Sequence, residues 1–283
     1  MAEFVCGVRE KNPNYLSACK NLRQYQDTGY CVLHFPGEEK KEDFEQVKKE
    51  KLEQEDYDFS GTVFPEGTSD FKGFEFEASV SFEGAQFSGE STYFQRAQFS
   101  GEGTFFDQAK FSGRLTDFSE AQFSGAGTSF QEAKFAQEVS FREATFRERV
   151  AFWESMANHV FDPQACAEFH DSRIEKPELL TFNTVLLHPG WFINADMRKV
   201  DFTDVKWYGM PGGPQGNIEA EVKALEDREV ESPYTLLSQA CRRLSANAEE
   251  NPEYPLANEF YYWSMNALRK EGWRSLGGVV WEQ

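Results

Sequence analysis

Phenylalanine recurs through the middle of the chain at intervals that alternate between five and six or seven residues. The residue two positions before each Phe is usually small or β-branched, as at Ala97 and Thr104, and the residue between them is usually polar, as at Gln98. In an extended backbone, residues i and i−2 point to one side and residue i−1 to the other. The pattern therefore predicts short strands that bury both the Phe and the small residue. Seventeen of the 28 Phe residues share this register: Phe59, Phe64, Phe71, Phe76, Phe82, Phe87, Phe94, Phe99, Phe106, Phe111, Phe118, Phe123, Phe130, Phe135, Phe141, Phe146 and Phe152.

Turn residues separate these strands. Ser-Gly follows the Phe at 88–89, 100–101, 112–113 and 124–125, and this dipeptide is typical of turns. Strands this short, each followed by a turn, predict a coil whose successive turns stack about 4.8 Å apart. An α-helix is excluded, because spacings of five and seven do not keep one face in register at 3.6 residues per turn.

The repeated unit, an inward small residue at i−2 and an inward Phe at i about every five residues, resembles the pentapeptide-repeat proteins. The resemblance implies a right-handed, four-sided β-helix. This chain departs from strict five-residue spacing, so each coil takes 22 to 24 residues. We assign the surplus to bulged corners, such as 100–103, stacked along two opposite edges of the helix.

The five-residue spacing returns after an irregular stretch, at Phe182, Leu187, Phe192, Met197, Phe202 and Trp207. We therefore predict a Cys/His-containing N-terminal module with a capping helix over 1–56, the β-helix over 57–207, a Gly/Pro linker over 208–216 and a helical module over 217–283. The predicted fold class is mainly β: a right-handed quadrilateral β-helix with a small, partly irregular N-terminal cap and a C-terminal helical hairpin.

Both flanks carry helical patterns. In the charged segment from Glu38 to Asp56, the side chains of Phe44, Val47 and Leu52 fall on one helical face. Near the C-terminus we predict helices around 217–229, 233–248 and 255–271 that bury against the last coil. The open strand edges of a solenoid need such covers. The side chains expected to pack together there are Leu237, Cys241, Leu244, Phe260, Tyr261 and Leu268.

The N-terminal module contains a candidate metal site. Cys31 and His34 have the C-x2-H spacing that lets one turn present two zinc ligands, and Cys6 and Cys19 complete a tetrahedral set. The segment 29–36 resembles one that precedes the repeats in some bacterial pentapeptide-repeat proteins. Two interpretations stay open: a structural zinc held by Cys6, Cys19, Cys31 and His34, or buried thiols beside an ordinary histidine.

Charge and hydropathy restrict the partners and the location. The chain has 48 acidic and 29 basic residues, a net charge of −19. Proteins that bind nucleic acid directly need clustered Lys and Arg, so we expect no direct binding to nucleic acid. No apolar window reaches the ~18 residues of a transmembrane segment, and we expect no secretory signal. Five scattered cysteines fit a reducing compartment. We expect a cytoplasmic protein.

The C-terminal helices are similar to a unit that follows the repeats in membrane-associated members of the family. This resemblance extends the expected location to the membrane surface, with peripheral contact through the C-terminus. Trp263, Trp273 and Trp281 are the candidate contacts.

No common catalytic motif is present in the sequence. It has no P-loop, dinucleotide-binding GxGxxG, HExxH or GxSxG. His159 and His170 lie near Asp162 and Asp171, but surface histidines are a simpler interpretation than a catalytic pair. We expect no catalysis.

Two non-enzymatic functions remain. The first is a structural or interaction scaffold, an acidic β-solenoid that binds a protein partner. The alternative, implied by the resemblance, is a DNA-mimic inhibitor or protector of a type II topoisomerase. Arg142, Arg147 and Arg149 interrupt the acidic surface, which favours the scaffold.

Overall fold

The structure is a computed structural model that describes residues 5–20, 22–155 and 160–277, with side chains as far as residue 273. The N-terminal part contains short 3-10 turns at Gly7–Glu10, Pro13–Cys19 and Glu38–Lys40, followed by helix α1 (Lys41–Glu53). Short strands follow, with further 3-10 turns at Pro177–Leu179 and Pro189–Phe192. Three helices come last: α2 (Ile218–Glu226), α3 (Pro233–Glu250) and α4 (Tyr254–Gly277).

The strands between these helices are two to five residues long. In chain order they are β1 (Val63–Phe64), β2 (Glu75–Phe76), β3 (Val80–Ser81), β4 (Gln86–Phe87), β5 (Ser91–Tyr93), β6 (Gln98–Phe99), β7 (Gly103–Phe105), β8 (Lys110–Phe111), β9 (Leu115–Asp117), β10 (Gln122–Phe123), β11 (Gly127–Ser129), β12 (Lys134–Phe135), β13 (Glu138–Ser140), β14 (Thr145–Phe146), β15 (Arg149–Trp153), β16 (Cys166–Glu168), β17 (Arg173–Ile174), β18 (Leu180–Asn183), β19 (Leu186–Leu187), β20 (Asp201–Thr203) and β21 (Lys206–Trp207).

The strands form a solenoid of about six turns with four parallel sheets. Side one is β1–β4–β8–β12, side two β5–β9–β13–β16, side three β2–β6–β10–β14–β17, and side four β3–β7–β11–β15–β18–β20; a short pair, β19–β21, lies in the last coils. Each strand pairs with the equivalent strand of the next coil, as Phe87 does with Phe111 and Thr128 with Val150, 24 and 22 residues later. The predicted coil length is therefore confirmed in the regular part. The irregular coil is longer, since Phe152 pairs with Phe182, 30 residues later.

The core consists of stacked phenyl rings. All seventeen Phe side chains of the predicted register are buried, none more than 2% exposed. Rings of adjacent coils stack face to face, for example Phe87 on Phe111 with centroids 4.7 Å apart and planes 1° apart. Rings of neighbouring sides meet edge to face, as Phe87 and Phe94 do. Both geometries are favourable for aromatic quadrupoles, and the inward register predicted from the sequence is confirmed.

The corners of the coil are of two kinds. At the corners after sides one and three, glycines stack so closely that a Cβ at Gly113 would collide with the Gly89 carbonyl, and one at Gly125 with that of Gly101. The corners after sides two and four instead carry residues with left-handed backbone, such as Gln108 with φ 56°. The corners after sides one and three, which we call wide corners, therefore need glycine so that stacked backbones can approach closely. The corners after sides two and four, which we call tight corners, accept other residues in a strained left-handed conformation.

Helix α1 covers the open end of the first coil. Phe44 packs edge-on against Phe64, with ring centroids 5.3 Å apart. The ammonium groups of Lys40, Lys48 and Lys51 each donate to a backbone carbonyl and lie 4.9–5.6 Å from a Phe ring centroid. The buried lysines thus donate hydrogen bonds to backbone carbonyls near the solenoid end, and their charged groups lie close to aromatic rings. The predicted helix is shorter than expected, since its first residues form the 3-10 turn.

The C-terminal helices cover the other end. On α3, Asn247 donates to the carbonyls of Met197 and Val200 at 2.8 and 2.9 Å. On α4, the Phe260 ring packs edge-on against Trp207, with centroids 5.1 Å apart. Side-chain amides and rings therefore cover the backbone groups of the last coil, as the sequence predicts.

The predicted packing of α4 was wrong at two residues. Tyr261 and Leu268 are 56% and 36% exposed, whereas Trp263 and Ala267 are buried. At about 100° per residue, Phe260, Trp263 and Ala267 share one face of the helix, and Tyr261 and Leu268 fall outside it. Within the part of the chain that the structure describes, no helix combines the length and the apolar character needed to cross a membrane.

Candidate metal centre

The N-terminal module brings its cysteines and one histidine together by turns and one short pairing. Cys19 ends a 3-10 turn. Cys31 pairs with Gln24 in an antiparallel bridge, and its amide lies 3.3 Å from the Cys6 sulfur. The chain then turns so that the His34 amide donates to the Cys31 carbonyl at 3.1 Å, which places both side chains on one side of the turn.

The four predicted ligand atoms converge on one point. The sulfurs of Cys6, Cys19 and Cys31 and a ring nitrogen of His34 all lie within 4.8 Å of one another. His34 Nδ1 is 3.1 Å from Cys31 Sγ and 3.6 Å from Cys6 Sγ. A tetrahedral zinc with Zn–S near 2.3 Å and Zn–N near 2.0 Å places its ligand atoms about 3.5–3.8 Å apart. The cluster could therefore hold one metal ion, and its donor set suits zinc.

The other histidine nitrogen fixes the ring. His34 Nε2 lies 2.8 Å from the carbonyl oxygen of Ser60. A carbonyl only accepts, so Nε2 carries the proton and Nδ1 presents its lone pair to the three sulfurs. Backbone support of this kind is what a metal-ligating histidine ordinarily has on its outer nitrogen. The imidazole is therefore oriented for coordination.

Crowding of the thiols shifts their pKa values in opposite directions. Hydrogen bonds from Cys19 and Cys31 lower the pKa of Cys6. Hydrogen bonding to Cys19 and Cys6, together with burial, raises the pKa of Cys31. At Cys19 a hydrogen bond with Cys31 lowers the pKa, but hydrogen bonding to Cys6 and burial outweigh it and raise the pKa to about 11. Coordination of all three sulfurs as thiolates would therefore release protons from the thiols whose pKa is raised.

The cluster joins the N-terminal module to the solenoid. Ser60, which holds His34, lies in the first coil, and the nearby Val63 amide donates to the Leu33 carbonyl at 3.0 Å. Lys40 donates to the carbonyls of both Leu33 and Val63, and burial lowers the pKa of this lysine to about 7. The candidate metal site therefore lies where the module meets the open edge of the first coil.

The other histidines of the described chain have structural contacts. His170, expected at the surface, is buried, and its Nε2 is 3.0 Å from the Gly190 carbonyl in the Pro189–Phe192 turn. His188 Nδ1 is 2.7 Å from the carboxylate of Glu221 on α2. The possible partner His159 lies outside the described residues. The structure thus places His170 and His188 where they link neighbouring coils and α2.

Two surface aromatics were missed by the sequence analysis. Phe105 and Trp153 point outward from side four and are 42% and 37% exposed. A signal was available, because Phe105 occupies the i−1 position before Phe106, where the residue is usually polar, and Trp153 directly follows Phe152. These outward aromatics contribute surface rather than core.

Comparison with known proteins identifies the repeat. A family model described as Pentapeptide repeats (9 copies) matches residues 106–156. No curated protein and no solved structure matches the chain. The matched residues lie within the solenoid, and the same inward register continues on both sides of them. The repeat match and the coiled parallel sheets together show that the chain contains a pentapeptide-repeat β-solenoid.

Proposed function

We propose that the protein is a non-enzymatic interaction scaffold, an acidic solenoid that binds a protein partner. The observation that carries this proposal is the exposure of Phe105 and Trp153 on the flat sheet of side four. Outward positions of this fold do not require aromatic side chains, and exposed aromatics are enriched where proteins bind one another. The helices at both ends and the stacked core supply rigidity, so the partner meets a surface that is already formed.

We further propose that Cys6, Cys19, Cys31 and His34 hold a structural zinc ion. Four protein ligands would leave no open coordination position, which is typical of structural rather than catalytic zinc. The ion would tie 3-10 turns, which have little core of their own, to the first coil. Its function in the scaffold is to keep the N-terminal cap in place.

The exposed face of α4 supports a second candidate function, peripheral attachment of a cytoplasmic scaffold to a membrane surface. Of the three tryptophans predicted as membrane contacts, Trp273 is 62% exposed, Trp263 is buried and Trp281 lies outside the described residues. Tyr262 and Met265 are 60% and 45% exposed, and Tyr and Trp are favoured at membrane interfaces. Flotation with liposomes of neutral and anionic lipids tests this candidate. Binding that is lost in Tyr262→Ser/Trp273→Ser would support it, and absence of the wild-type protein from the floated lipid would refute it.

Chemical cross-linking in cells of the native host, followed by affinity purification and mass spectrometry, tests the scaffold. We expect one cross-linked protein in amounts comparable to the scaffold itself. A chain that remains free of any adduct would contradict the proposal. A supercoiling assay with a type II topoisomerase distinguishes the DNA-mimic function from the scaffold function, since only a DNA mimic would inhibit or protect that enzyme.

A further inference from the structure

We propose that side four is the docking surface of the scaffold and that its occupant is an arginine- or lysine-rich segment of a partner protein. This inference rests on the proposed scaffold function. It names the surface that binds the partner and the chemical character of the segment that is bound. It depends on three features of side four: the exposed aromatic pair, a group of carboxylates without ion-pair partners, and the absence of cations from the centre of the sheet.

The aromatic pair lies in the middle of the sheet. Phe105 is on β7, and its ring lies over Gly103, where an added Cβ would meet ring atoms at 2.6 Å. Trp153 ends β15, two coils further along, since Phe105 pairs with Ser129 and Ser129 with Ala151. Coil and residue spacings put the two aromatics about 12 Å apart across the sheet. The residues that continue the Phe105 column, Ser129 and Ala151, are small and leave a flat path for an extended segment.

Carboxylates lie in the coil of Phe105 and in the two coils before it. Asp58, Glu83 and Asp107 belong to consecutive coils of side four, and none forms an ion pair with any described residue. Burial raises the pKa of Glu83, and the charges of Asp107 and Asp58 raise it further. Burial likewise raises the pKa of Asp107, although its carboxylate accepts hydrogen bonds from Ser129 and the Gln131 amide. Like charges held this close without a cation would be relieved by a cationic ligand.

The charge pattern separates side four from the other sides. Among the described residues at its centre, from the one before each inward Phe to the two after it, none is Lys or Arg; Arg149 and Lys199 stand at the edge where the strands begin. Side one carries Lys110 and Lys134, and sides two and three carry arginines such as Arg142 and Arg173. Charge complementarity therefore selects side four for a cationic occupant.

Arginine and lysine match both features of this surface. Their charged ends pair with carboxylates, and arginine also stacks on aromatic faces. A nucleic acid would be repelled by the carboxylates, and an acidic peptide would add like charge. The occupant is thus a segment in which cations alternate with apolar residues that contact Phe105 and Trp153.

Fluorescence anisotropy with a defined probe tests this assignment on the full chain. The probe is a labelled peptide of about ten residues alternating Arg and Leu, long enough when extended to cross six coils; the same peptide with Glu for Arg is its control. The aromatic variant is Phe105→Ser/Trp153→Ser. The carboxylate variant is Glu83→Gln/Asp107→Asn. Its matched control, Asp70→Asn/Glu143→Gln, removes the same charge from side two. Circular dichroism checks that each variant is folded.

We expect the Arg peptide to bind and the Glu peptide not to bind. The aromatic variant should weaken affinity about tenfold and the carboxylate variant about fivefold, which correspond to about 1.4 and about 1 kcal/mol of binding free energy. The side-two control should change affinity less than about twofold. Equal losses in the two charge variants, or unchanged affinity in a folded aromatic variant, would overturn the assignment.

The cross-linking experiment distinguishes failure of this inference from failure of the scaffold function. A host partner whose cross-links map to sides one to three would refute side four as the docking surface and leave the scaffold intact. A partner segment that cross-links to side four but lacks clustered Arg and Lys would refute the stated chemistry.

Discussion

At the scale of single residues, the fold depends on phenyl rings that each touch rings above, below and beside them. Phe111 lies between the stacked rings of Phe87 and Phe135, at 4.7 Å from each. Its replacement leaves a cavity inside a continuous column, where neither neighbour can move without losing its own stacking. Burial of this kind makes the inward residues the main source of stability.

Phe111→Ala should therefore lower the free energy of unfolding by about 3–5 kcal/mol, since a large side chain is lost from a packed core. Lys110→Ala, one residue away but outward, should change it by less than about 0.5 kcal/mol. Denaturant unfolding of both variants measures the difference. A Phe111→Ala variant within about 1 kcal/mol of wild type would contradict the stacked core.

The carboxylates of side four give a pH dependence with a defined sign. Because the pKa of Asp107 is raised in the folded state, ionisation of this group disfavours folding. The stability that protonated Asp107 contributes to the folded state is therefore present at low pH, and it is lost as the pH rises through the folded-state pKa. Asp107→Asn should therefore raise the melting temperature at about pH 7, and the gain should disappear below the unfolded pKa of about 4.

Thermal melts at several pH values test this expectation, with Asp117→Asn on side two as the matched control. A gain that persists unchanged at low pH would contradict it, because it would come from some effect other than ionisation.

Sequence reasoning worked at this scale wherever a repeat defined which way a residue points. It placed Phe94 inward and Gln98 outward correctly. It could not find the contacts of Lys40 and Lys48, because lysine on a charged helix is usually solvated and only the open end of the coil gives these side chains carbonyls to bind. It also misplaced Tyr261, since an interrupted helical stripe does not fix which face meets a partner.

At the scale of elements, the two kinds of corner determine how coils stack. The wide corners bring backbones of successive coils together at Gly101 and Gly125, while the tight corners hold one residue per turn in left-handed backbone. Glycine is thus required at the wide corners, although its φ is ordinary there, because the stacked backbones leave no room for a Cβ. It is absent from several tight corners, although φ is positive there. The sequence indicates where the bulges are but does not show the distance between stacked backbones.

Substitution at each kind of corner tests this distinction. Gly125→Ala should destabilise the protein by about 1–3 kcal/mol, because its Cβ must displace the backbone of the coil below. Gln108→Gly should stay within about 1 kcal/mol of wild type, since relief of left-handed strain offsets the added freedom of the unfolded chain. Melting temperatures of the two variants provide the comparison. A larger loss for Gln108→Gly than for Gly125→Ala would contradict the description of the corners.

The N-terminal module depends on its metal in the proposed account. Protein purified without added metal should contain about one zinc per chain, and chelation should lower the melting temperature. Cys31→Ser should abolish the bound zinc, whereas Cys166→Ser, a half-buried thiol outside the cluster, should retain it. Elemental analysis measures the stoichiometry. Zinc absent from wild type, or retained in Cys31→Ser, would favour buried thiols over a metal centre.

The ligands themselves were predictable only in part. The spacing of Cys31 and His34 indicates two ligands on one turn, but Cys6 and Cys19 lie on separate turns, and no spacing rule joins them. Their convergence depends on the packing of 3-10 turns against the first coil. The carbonyl of Ser60, which orients His34, belongs to a different part of the sequence and has no signature of its own.

At the scale of the whole molecule, the chain is a rod with covered ends and four sides that differ in charge. The rigid core fixes the relative positions of side chains on each side, and α1 and α2–α4 protect the strand edges at which solenoids would otherwise associate. The sequence predicted this architecture from the periodicity of its inward residues. It did not indicate which side would suit a partner, because the outward aromatic and charged residues follow no repeat and their grouping appears only when coils are stacked.

The most direct test of the scaffold is site-specific photo-cross-linking in cells of the native host. A photoreactive amino acid is placed singly at Phe105 on side four, Gln98 on side three and Lys110 on side one, all outward positions of neighbouring strands. The account predicts one discrete protein adduct from position 105 and at least about tenfold less from positions 98 and 110. The absence of an adduct from every position would contradict the proposal that this solenoid binds a protein partner.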